Sequence, residues 1–173
     1  MVLLFFCFSL QTKAQTPNDA IMMDKRDACV LLAYTYGTFD QYWEGGNQRE
    51  NQTIATVERQ TILGMAAIGI TKKLDFYVGL PYVKTKSYEP NGGYFAGANG
   101  LQDVLVGLKY QLINAQSSVG TFSILPSATF STPVSKYLSD YQPYSLGLGT
   151  TEIASRLMAN YKLDKGLYTT IGA

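Results

Sequence analysis

The stretch GLQDVLVGLKYQLI, Gly100 to Ile113, alternates apolar and polar side chains with a period of two. Val104, Val106, Leu108, Tyr110 and Leu112 fall on one face of an extended chain, and Asp103, Gly107, Lys109 and Gln111 on the other. Leu105 alone is out of place. Successive side chains of a strand point to opposite faces, so such a strand belongs at a boundary between an apolar and a polar medium. Which medium lies inside decides what kind of protein this is.

Six further segments share the pattern: Ala28–Phe39, Val57–Thr71, Leu74–Thr85, Gly120–Ser131, Thr151–Lys162, and a seventh strand opening at LYTTIGA. No window shows the i, i+3, i+4, i+7 spacing of an amphipathic helix. The strands run from about 11 to 15 residues, where strands of globular proteins average five or six. The connections sort by length. Those after the first, third and fifth strands are long and polar (40–56, 86–99, 132–149); those after the second, fourth and sixth are short (72–73, 114–118, 163–166). Outer-membrane barrels have short periplasmic turns and long external loops. The fold predicted is therefore all-β: an antiparallel up-and-down transmembrane β-barrel, with about seven strands present and the barrel incomplete in this chain.

On this reading the oily medium is outside. The eight steps from Val104 to Leu112 span roughly 27 Å, or about 21 Å of depth at a 40° tilt, close to the apolar band of such barrels. Val104, Val106, Leu108, Phe122, Ile124 and Leu157 are expected to face lipid, and Tyr110, Phe76, Tyr82, Tyr161 and Phe122 to form interfacial girdles. The opposite faces would line an aqueous lumen, with Asp103, Lys109, Glu152 and Arg156 as permeation candidates. The competing reading of these charges is a structural network that fills the barrel. Trp43 and Glu44, in YWEGG, lie in the first external loop, where they could touch solute or lipopolysaccharide; an anchor packed on the rim is the preferred reading for the tryptophan. Pro81 and Pro126 lie inside predicted strands, lack a ladder donor, and predict local bulges.

Composition removes other classes. The chain has no histidine, which excludes Ser-His-Asp and Cys-His catalysis and histidine-ligated metals from these residues. Two cysteines without a CxxC support no zinc site, and no cofactor or metal is expected. A formal charge of +1 suggests no nucleic-acid partner. The glycine-rich run Asn91–Gly100 joins two strands, whereas a phosphate-binding loop needs a strand-to-helix context. Val2–Leu10 is an apolar core of nine residues, followed by Thr12-Lys13-Ala14. It reads as a signal peptide cleaved after Ala14, since nine residues cannot span a bilayer as a helix. Residues 15–27 then form a periplasmic segment and 28–173 the barrel part. Cys29, the one cysteine left after cleavage, reads as a small buried hydrophobe.

Three pieces carry a family resemblance: DAIMMDKRDACVLLAYTYGTFDQYWEGGNQREN (Asp19–Asn51), IGITKKLDFYVGLPYVKTKS (Ile68–Ser87) and GLQDVLVGLKYQL (Gly100–Leu112). Together they resemble outer-membrane barrel proteins of the MetA-pathway phenol-degradation-like family, in a form typical of Bacteroidetes. The resemblance implies transport of small solutes, hydrophobic or aromatic, and none of its motifs is catalytic. It also implies a longer chain, of which this sequence is a fragment. Outer-membrane lipid, an unidentified solute and the barrel-assembly machinery are the expected partners. The competing readings are a structural or ligand-binding barrel that transports nothing, and an outer-membrane barrel enzyme. A soluble ligand-binding barrel would reverse the faces and bury Val104, Val106 and Leu108.

Overall fold

The computed structural model of this chain describes residues 19–50, 55–88, 96–141 and 143–173, so the expected signal peptide lies outside the described residues. Eleven strands follow in order: β1 Ala28–Phe39, β2 Gln41–Glu44, β3 Asn47–Glu50, β4 Val57–Thr71, β5 Leu74–Ser87, β6 Asn99–Leu101, β7 Asp103–Tyr110, β8 Ile113–Gln116, β9 Gly120–Pro133, β10 Glu152–Leu163 and β11 Tyr168–Gly172. Nine of them make one antiparallel sheet in the order β1-β4-β5-β7-β9-β10-β11, with β6 on β5 and β8 on β9. The path follows chain order, the β2–β3 hairpin standing apart as a second sheet between β1 and β4, and the sheet curls into a half-barrel. The all-β, up-and-down architecture read from the period-two pattern is the one observed.

The register fixes the faces. Val30, Ala66, Val78, Val106, Phe130 and Ile153 stand in one row across six strands. This row and its parallels form the convex face, where Val30 and Ile153 are each 81% exposed. Val104, Val106, Leu108, Phe122, Ile124 and Leu157 all lie on it. Asp75, Tyr77, Thr85, Lys109, Leu125 and Met158 lie on the concave face and are buried. The curl thus turns the apolar face outward, against the arrangement a soluble barrel with an oily interior would need.

Three elements depart from expectation. The long loop after β1 contains the β2–β3 hairpin, closed by Gly45-Gly46 with Gly45 at φ +60°. A two-residue Gly-Gly loop is a hairpin signal that the polar composition of the segment obscured. Trp43 rides on this hairpin opposite Gln48 and is 69% exposed. Glu44 ends β2 opposite Asn47. The single strand expected over Gly100–Ile113 is divided into β6, β7 and β8, and the short connection after it shrinks to 117–119, because Ile113–Gln116 pairs with β9.

Those divisions have a cause in the prolines. Gly79 faces Leu105, but Tyr82, three residues on, faces Leu101, four residues back. The extra residue falls opposite Pro81, whose carbonyl accepts the Gln102 N–H at 3.0 Å. At the other end Lys109 faces Ser127 and Ile113 faces Ile124, again four residues against three, opposite Pro126. A proline offers no N–H to the strand beside it, so the neighbour bulges where the donor is missing. Both prolines keep regular pairing on their other side, with Leu63 and Leu157.

Candidate functional site: the concave face

The concave face has three tiers. At the short-turn end the register sets Gly69, Asp75, Lys109, Ser127 and Arg156 side by side on β4, β5, β7, β9 and β10. In the middle Leu63 and Met65 reach over Gly79, and Leu105 stands beside it. There the Tyr77 ring lies against Gly107, so closely that a Cβ on that glycine would meet the ring at 2.4 Å. Toward the long loops come Arg59, Thr85 and Asp103. On β4, β5 and β7 an apolar waist therefore separates two polar ends, while the same rows carry Thr129 and Ser131 on β9 and Glu152 on β10. Leu105, the one misfit in the alternation of its strand, belongs to the waist.

Both ends are covered. Residues 19–27 run into the short-turn end. Lys109 is fully buried there, and its Nζ donates to Asp19 O at 2.7 Å, Asp19 Oδ1 at 2.9 Å and Ile21 O at 3.3 Å. Asp75 Oδ2 accepts from Met23 N at 3.0 Å. Arg26 N donates to Gly69 O at 2.8 Å, and Gly69 N to Asp27 O at 3.0 Å. A Cβ at Gly69 would lie 2.2 Å from Asp24 O, so only glycine lets the segment come this close. A buried ammonium needs this density of acceptors, because desolvation disfavours its charge.

At the other end the connection 134–151 folds inward, and Tyr144, Ser145 and Leu146 are buried. Arg59 donates to Ser145 O at 3.2 Å and Leu146 O at 2.8 Å, and Thr85 Oγ1 to Tyr144 O at 2.6 Å. Tyr137 OH donates to Asp103 Oδ1, and Gly149 N donates to Tyr137 OH at 3.1 Å. Burial, and then the bond to the Asp103 carboxylate, hold the Tyr137 hydroxyl above the usual tyrosine pKa.

The four lumen candidates share the concave face but do not meet. Asp103 holds the inward loop and Lys109 the N-terminal segment, at opposite ends. Glu152 and Arg156 are exposed on β10, opposite Ser131 and Ser127. Lys109 is sealed from solvent, and Leu63, Met65 and Leu105 add apolar side chains to the concave face. Cys29, opposite Ala67, is a free thiol and half-buried. Among the described residues no three His, Cys, Asp or Glu side chains stand together as a metal site. Asp19, Arg59, Thr85, Tyr77 and Tyr137 were not singled out by pattern, since each acts through a partner distant in sequence.

A curled antiparallel meander with an apolar convex face, and an interior tied to inserted segments, defines a β-barrel-type protein. Residues 34–173 match the family described as "Putative MetA-pathway of phenol degradation", and the chain belongs to that family. Neither a curated protein nor a solved structure matches it.

Proposed function

We propose that this chain forms part of an outer-membrane barrel that carries small hydrophobic or aromatic solutes and performs no chemistry on them. The observation that carries the reading is the convex face, whose most exposed side chains are Val30, Leu32, Ile153 and Ile171. Such a contiguous apolar surface needs lipid rather than water against it. Residues 1–14 serve as the signal peptide, residues 15–27 stay on the periplasmic side with the short turns, and the barrel-assembly machinery is the partner during insertion. The waist supports a hydrophobic cargo: Leu63, Met65, Leu105 and the Tyr77 ring offer dispersion contacts to an uncharged ring, and the Tyr77 hydroxyl offers one polar contact. No histidine is present to activate a nucleophile, and the buried carboxylate and ammonium are occupied in holding segments.

The test is uptake of an uncharged aromatic solute by liposomes bearing the full-length protein. Leu105→Asn is expected to lower that uptake severalfold in a folded barrel without lowering ion leak. Folded protein that passes no solute counts against transport. A second reading, a plugged and non-transporting barrel, is favoured by the occupation of both ends of the concave face, and the same assay separates the two.

A further inference from the structure

Among the described residues of the nine-stranded sheet, convex positions are apolar, aromatic, small or hydroxylated, with one exception. The exception is a patch at the long-loop end. Tyr36, Gln60, Lys84 and Asn99 form one row on β1, β4, β5 and β6. Glu58 and Lys86 form the next row outward, with Tyr88 beyond. Directly inward lies an aromatic and aliphatic row, Tyr34, Ile62, Tyr82 and Leu101. Tyr82 OH ties the two levels together by donating to Asn99 Oδ1 at 3.1 Å.

Both lysines are exposed, and among the described residues neither stands in an ion pair. The Glu58 carboxylate accepts the Tyr88 hydroxyl at 2.7 Å, and the Lys86 ammonium sits 5.4 Å from the centre of the Tyr88 ring. Among the described residues, two cations against one carboxylate leave the patch at +1. With about 3.4 Å per residue and a tilt near 40°, Lys84 stands about 5 Å and Lys86 about 10 Å above Tyr82. If the Tyr82 row marks the edge of the hydrocarbon, the Lys84 backbone falls in the headgroup layer, which is roughly 5–8 Å thick on each side, and the Lys86 backbone falls just beyond it, within reach of its own long side chain.

We propose that Lys84 and Lys86, with Gln60, Asn99 and Tyr36, form a docking site for the phosphorylated sugar headgroup of an outer-leaflet glycolipid. The proposal rests on the reading that the convex face meets the membrane with its long loops outside. The ammonium groups match a phosphate, and the two carboxamides and the Tyr36 hydroxyl match sugar hydroxyls, which a glycerophosphate headgroup offers sparsely. Acyl chains would then lie along Tyr34, Ile62 and Leu101.

The experiment reconstitutes full-length protein in phosphatidylcholine nanodiscs containing monophosphoryl lipid A and measures retained glycolipid by native mass spectrometry. Wild type is expected to retain it. Lys84→Gln with Lys86→Gln should lower retention at least tenfold, and Lys84→Arg with Lys86→Arg should keep it. The dephosphorylated glycolipid should be lost from all three. Equal retention by wild type and the Gln pair overturns the proposal, as does retention of phosphatidylglycerol at the level of the glycolipid. Heat-modifiable mobility reports insertion separately. Inserted protein without lysine dependence defeats this proposal alone; protein that never inserts defeats the membrane reading and this one with it.

Discussion

Replacing Lys109 by Met should release the N-terminal segment while leaving the sheet intact. Lys109 donates to acceptors on residues 19 and 21, stands beside the buried Asp75 carboxylate on the neighbouring strand, and has no exposed surface. Methionine fills similar volume and removes the charge. Hydrogen bonds to a charged group are worth about 1.5–3 kcal/mol each, and removing one partner of a buried ion pair costs about 3–5 kcal/mol. Asp19 keeps 24% of its side chain exposed and can rehydrate, so the lower end applies, about 3 kcal/mol. That corresponds to roughly a hundredfold shift in segment docking. The assay is amide exchange in membrane-inserted full-length protein. Amides of residues 19–23 should exchange about a hundredfold faster. Those of residues 26 and 69, paired independently of Lys109, should change much less. Unchanged exchange at 19–23 would refute the assignment of Lys109 as the anchor. Uniform loss of protection through β5 and β7 would mean that the residue supports the sheet itself.

Gly107→Val should cost about 1–3 kcal/mol in urea unfolding through collision with the Tyr77 ring, and Tyr77→Ala in the same chain should remove most of that penalty. Val106→Arg, on the convex face, should cost roughly 2–4 kcal/mol of stability in lipid, and equal folding of variant and parent would reverse the face assignment. The inward loop should open at high pH. The Tyr137 pKa is raised in the folded state, so its contribution is complete below about 10, the unfolded value, and is lost as pH rises through the folded one. A dye on a cysteine replacing Leu148 should report that transition, and Tyr137→Phe should abolish the pH dependence.

The strands were legible because each separates two media, and a period of two records that separation residue by residue. β1 and β4 have the bounds the alternation implies. The bulges were legible as to cause but not as to place, since a missing donor is felt by the neighbouring strand rather than by the proline's own. The waist was hidden: Leu63 and Met65 make β4 apolar on both faces, which weakens the contrast that alternation depends on. The anchors were hidden more deeply. Lys109 meets Asp19 across 90 positions of sequence, and Arg59 meets Leu146 across 87. No local pattern encodes which polar residue of a concave face will receive an inserted segment. The β2–β3 hairpin, by contrast, was encoded locally in Glu44-Gly45-Gly46-Asn47.

The two prolines that bracket β7 also bear on how the sheet can be proofread during assembly. Side-chain polarity detects a slip of one residue, because every apolar group then changes face. A slip of two restores every side chain to its proper face and escapes that check. It does not escape Pro81 and Pro126. Each has a bulge built opposite it, and moving β7 by two residues would set a regular, donor-seeking carbonyl against an imino nitrogen at both ends. In a medium without water those carbonyls have no substitute partner. A pair of residues that breaks the regularity of the sheet thereby supplies its parity-independent ruler.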